Sequence, residues 1–160
     1  MCVELVTRML HDRVYIKTVE LMTENDYEPR GCTALLDAVG GAIRHIGNVH
    51  KYARREDVPK KTIFVIITDG MENASHKYTY SRLQEMIKRQ KEKYGWEFLF
   101  LGAKIDAPKE ARRFGIDEKR AVTYKNDGVG VHKNYMEDFD TAVDKMREKI
   151  SDDVKKRGEF

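Results

Sequence analysis

Asp69 is the residue of this chain best placed to do chemistry. It follows the apolar run Ile63-Phe64-Val65-Ile66-Ile67 and Thr68, and Gly70 comes directly after it. A carboxylate set just past a buried strand can hold a hard cation or act as a nucleophile, and open α/β sheets bind ligands at the C-terminal ends of their strands. The plainer role of the same residues is a turn, with Asp69 as its cap and Gly70 supplying a positive φ. The second candidate is Thr33, in Gly31-Cys32-Thr33-Ala34-Leu35-Leu36-Asp37-Ala38 ahead of a helix.

Other constellations carry less. Asp69-Gly70-Met71 lacks the second aspartate of a haloacid-dehalogenase-type phosphatase, and Gly128-Val129-Gly130 lacks the third glycine of a dinucleotide loop. His45 and His50 are five positions apart on a predicted helix, so they do not share a face and read as surface histidines. Cys32 has no histidine close in sequence to activate it. The enzymatic alternative is therefore a small α/β hydrolase or phosphatase using Asp69 as nucleophile.

The elements that position Thr33 and Asp69 follow from patterning. The run from Ile63 is apolar without alternation, which predicts a central parallel strand covered on both faces. Leu35, Leu36, Val39, Ile43, Ile46 and Val49 form one stripe of a helix from Ala34 to His50, with Thr33 as N-cap and Gly40 and Gly41 packed close against the sheet. A second helix opens near Ser81 with Gln84 as capping-box partner and ends at Gly95. Trp96–Leu101 is the next strand, Asp106 caps a short helix with Pro108 in its first turn, and Ala121–Tyr124 is a third strand. Val3–Leu10 and Arg13–Leu21 read as extended segments, the second as a half-buried edge strand. A last helix runs from Asn134 past Ile150, and Ser151–Phe160 is a charged tail. The fold class is α/β, a three-layer Rossmann-like mainly parallel sheet flanked by helices, in a single domain over 1–160.

At 160 residues and a net charge of +3, the chain can bury its own core and carries too small a cationic excess to argue for nucleic acid. The densest basic cluster, Lys51 to Arg55 with Lys60 and Lys61, reads as a solvated helix end. No apolar run approaches a membrane span. Cys2 and Cys32, read as two free thiols with no signal-peptide pattern, point to a reducing, cytoplasmic setting.

Thr33 before its helix and Asp69 after its strand together resemble the von Willebrand factor A domain family, closest to its stand-alone bacterial members. In that family a threonine and an aspartate at these places help form a metal-ion-dependent adhesion site. The resemblance implies a protein–protein interaction module, not an enzyme, and assigns Thr33 and Asp69 as metal ligands. The family's Asp-x-Ser-x-Ser loop has no counterpart, since none of the three serines, Ser75, Ser81 and Ser151, stands two residues after an aspartate. The chain thus reads as N-terminally truncated relative to the family, without its first strands and with an incomplete site. Mg²⁺ or Mn²⁺ binding is then weak, as a hard cation wants about six oxygens. An unpaired central strand also implies a homodimer.

Overall fold

The structure is a computed structural model and describes residues 9–20, 32–103, 105–124, 144 and 148. The element order is α1 (Leu35–Tyr52), β1 (Ile63–Thr68), α2 (Tyr80–Tyr94), β2 (Glu97–Ala103), α3 (Ala107–Arg113) and β3 (Ala121–Tyr124). The three strands are parallel in the order β1-β2-β3. Each βαβ crossover therefore steps the same way across the sheet, and a constant hand puts both crossover helices on one face. The result is a mixed α/β fold with an open parallel sheet, compatible with a Rossmann-like architecture, as the patterning predicts.

Register decides which side chains meet those helices. Phe64 pairs with Phe98 and Ile66 with Phe100. All four join Leu36, Val39 and Ile43 of α1, Leu83 and Ile87 of α2, and Ala111 and Phe114 in one apolar cluster. Phe100 and Phe114 are fully buried, and each such side chain stabilises the fold by about 1.5–3 kcal/mol through area removed from water. The opposite face carries a second cluster of Leu99, Leu101, Ala103, Val122 and Tyr124, on which no described helix packs. The helix expected from Asn134 lies outside the described residues, apart from two helical positions, Asp144 and Glu148.

β1 departs from expectation. Among the described residues it is an edge strand, not a central one, and Ile63, Val65 and Ile67 are 49%, 45% and 51% exposed. An apolar run shows only that both faces suit burial; whether anything covers them depends on the rest of the sheet. The extended reading of Arg13–Leu21 also gives way, because Ile16–Thr18 is a 3-10 turn. Thr18 donates both its backbone N–H and its hydroxyl to the Tyr15 carbonyl, each at 2.8 Å, a local bond that competes with strand formation. Val3 to Arg8 lie outside the described residues. Cys32 is disulfide-bonded, which replaces the expectation of two free thiols.

The helix ends show where local chemistry was misplaced. α2 is capped by Thr79, whose hydroxyl accepts from Arg82 N–H at 3.3 Å, rather than by Ser81 with Gln84. Its end at Gly95 (φ 66°) and the Asp106 cap of α3, accepting from Lys109 N–H at 3.1 Å, are as predicted. Of the glycine pair in α1, Gly41 has open space around it, while a Cβ at Gly40 would stand 2.6 Å from the Tyr78 ring. The close contact is thus with the loop before α2, not with the sheet. Gly40→Ala gains about 1 kcal/mol of helix propensity but forces the ring aside at a cost of about 1–3 kcal/mol. A net loss near 1 kcal/mol is expected in urea unfolding, with Gly41→Ala stabilising instead.

Candidate functional site

The carboxyl end of β1 meets the entry to α1, so Thr33 and Asp69 are brought to one rim. A Cβ at Gly70 would lie 2.9 Å from the Thr33 hydroxyl oxygen. This close approach, not a positive φ, is why glycine follows Asp69: among the described glycines only Gly95 and Gly115 have positive φ. Asn73 clamps the rim from the other side, its side-chain oxygen accepting from Thr33 N–H at 2.8 Å and its own N–H donating to the Thr33 carbonyl at 3.1 Å. Thr68 is buried and donates its hydroxyl to the Gly70 carbonyl at 2.9 Å, holding the turn. Asp69 itself is exposed, and Thr33 is half-buried.

Thr33 is not the N-cap of α1. That position is Ala34, which has no side-chain oxygen to offer, so the orphan amides of the first turn are taken by the loop after β1. Glu72 Oε2 accepts from Leu36 N–H at 2.8 Å, and Ser75 Oγ accepts from Asp37 N–H at 3.0 Å. The same Glu72 carboxylate accepts from Ala74 N–H (2.9 Å), Ser75 N–H (2.7 Å) and the Ser75 hydroxyl (2.8 Å). Asp37 reciprocates: its carboxylate accepts from His76, Lys77 and Tyr78 N–H at 3.0, 2.9 and 2.9 Å. Burial works against charge on both groups. The backbone hydrogen bonds together outweigh it and hold both carboxyls below their ordinary range. The helix dipole of α1 favours the Glu72 charge further.

Glu72, Asp37, Asn73 and Ser75 were not singled out by sequence reasoning. Asp37 in a first helical turn and the polar run from Glu72 to Ser75 were the signals present. Their roles depend on contacts 36 to 41 residues apart in sequence, which no local pattern specifies.

A divalent cation at this rim would find one exposed carboxylate, Asp69, and one hydroxyl, Thr33. The other two nearby carboxylates are committed to N–H donors. No group of three or more His, Cys, Asp or Glu able to hold a metal occurs among the described residues. The donor set does not fit a tight Mg²⁺ or Mn²⁺ site, which needs more protein oxygens to replace its waters. Calorimetric titration of Mg²⁺ should show only weak binding; micromolar affinity abolished by Asp69→Ala would contradict this.

Comparison with known proteins gives no match: no family model fits the chain, and no curated protein or solved structure is similar to it. None of the described helices is long and apolar enough to cross a membrane.

Proposed function

We propose that this chain is a protein–protein interaction module of the von Willebrand factor A type, with Thr33 and Asp69 as the remnant of an adhesion site that binds metal weakly. One observation carries the proposal. Ile63, Val65 and Ile67 stand in a half-exposed apolar row along β1, whose outer edge no described strand pairs. An apolar edge strand with open backbone groups is a template for another strand. A second copy meets that need across a two-fold axis, where the two β1 strands pair edge to edge and their rows stand side by side on one sheet face. The module works by contact and not by catalysis, and its partners are proteins rather than nucleic acid or membrane. Light scattering over a dilution series tests the self-association.

The rival reading makes Asp69 a hydrolytic nucleophile. It needs a proton donor or base beside Asp69, and the two carboxylates of the adjoining loop and helix start, Glu72 and Asp37, already accept three or more hydrogen bonds each. Turnover of a generic aryl phosphate, lost in Asp69→Asn, would favour that rival.

A further inference from the structure

α1 and α2 lie side by side on the sheet, and a groove of about 1220 Å³ opens between them near Thr62 and Trp96. These residues precede β1 and β2, so the groove sits at the end of the sheet opposite the Thr33–Asp69 rim. Its lining includes Arg44, Lys51, Arg55, Arg82, Arg89 and Lys93, and among the described lining residues there is no Asp or Glu. All six cations are exposed. Arg82 pairs with Glu85 at 3.1 Å, with both side chains some two-thirds exposed, a contact worth little in water. Set against a net charge of only +3 for the whole chain, this is a strong local concentration of one sign.

From this we infer that the groove binds an acidic segment of a partner protein. Its volume exceeds the roughly 300–1,000 Å³ of small-molecule sites, which suits a length of chain rather than one small anion. Four of its six cations are arginines, whose planar forks match carboxylates in two-pronged contacts. Nucleic acid fits less well. Single strands are held by stacking on open aromatic faces, whereas Trp96 at the groove floor is 4% exposed with the His50 ring edge-on against it, and the exposed Tyr94 of the lining already has Lys93 Nζ over its ring at 5.3 Å. The inference names a partner class for the proposed module on a surface separate from β1, and it does not require association through β1.

Fluorescence anisotropy of a labelled oligo-glutamate peptide tests this, with oligo-lysine as control and the Val65→Lys variant assayed beside the wild type to separate the groove from β1. Trp96, the sole tryptophan, reports occupancy independently. Binding is expected at low ionic strength and should be lost near roughly 0.5 M salt, where screening is strong. Arg44→Glu with Arg89→Glu should weaken it at least about tenfold, and the milder Arg44→Gln with Arg89→Gln decides the matter if charge reversal disturbs the circular dichroism. No binding of oligo-glutamate at low salt would overturn the inference. So would unchanged affinity in a folded variant, or tighter binding of a single-stranded oligonucleotide of equal charge.

Discussion

Replacing Glu72 by alanine is expected to destabilise the protein by about 3 kcal/mol, read as a lower urea midpoint with an unchanged slope. Three backbone amides and one hydroxyl lose their acceptor at once. Hydrogen bonds to a charged group contribute about 1.5–3 kcal/mol each. The loop is half-exposed, water replaces part of what is lost, and the sum is discounted accordingly. Glu72→Gln keeps an acceptor oxygen and should cost about half as much.

The same network sets a pH dependence. Glu72 and Asp37 have folded pKa values below their unfolded ones. Their contribution is therefore fully present above the unfolded value of about 4, and it is lost as pH falls through the lowered folded values. Wild-type stability should drop between neutral pH and pH of about 3, and the Asp37→Asn/Glu72→Gln variant should drop less from a lower start. Equal slopes for the two proteins would show that these carboxylates do not govern the acid limb.

The second large effect lies on β1. Val65→Lys should raise the concentration needed for self-association by about a hundredfold or more. In a two-fold interface each substitution acts twice: losing the exposed halves of two valines removes about 1.5 kcal/mol, and desolvating two unpaired lysine charges in the seam adds to it. A lysine on an edge strand is also a common guard against pairing. Because Val65 is 45% exposed, the single chain should keep its fold, and far-UV circular dichroism checks that it does.

Much of the fold was legible because it is written locally. The runs at Ile63 and Trp96, the Gly95 stop and the Asp106 cap each declare an element through neighbours within a few positions. The order of strand and helix also places Thr33 against the turn after β1, where Gly70 approaches its hydroxyl. What could not be read is non-local. Ala34 caps α1 with no side chain because Glu72 and Ser75 arrive from the far side of β1. Gly40 is small for Tyr78, a partner in a loop. Whether β1 is an edge depends on which strands stand beside it, and its own residues would suit either place. The cationic groove was visible only in halves, since α1 and α2 each carry their lysines and arginines as an ordinary solvated face until packing sets them opposite one another.

The central claim is that the exposed row of β1 is an interface, and the mass of the wild-type chain in solution tests it most directly. Multi-angle light scattering across a dilution series should give the mass of two chains at high concentration and of one chain on dilution, with Val65→Lys monomeric throughout. A wild-type protein that stays monomeric and soluble at the highest concentration would contradict the account, since Ile63, Val65 and Ile67 would then need no second copy to cover them.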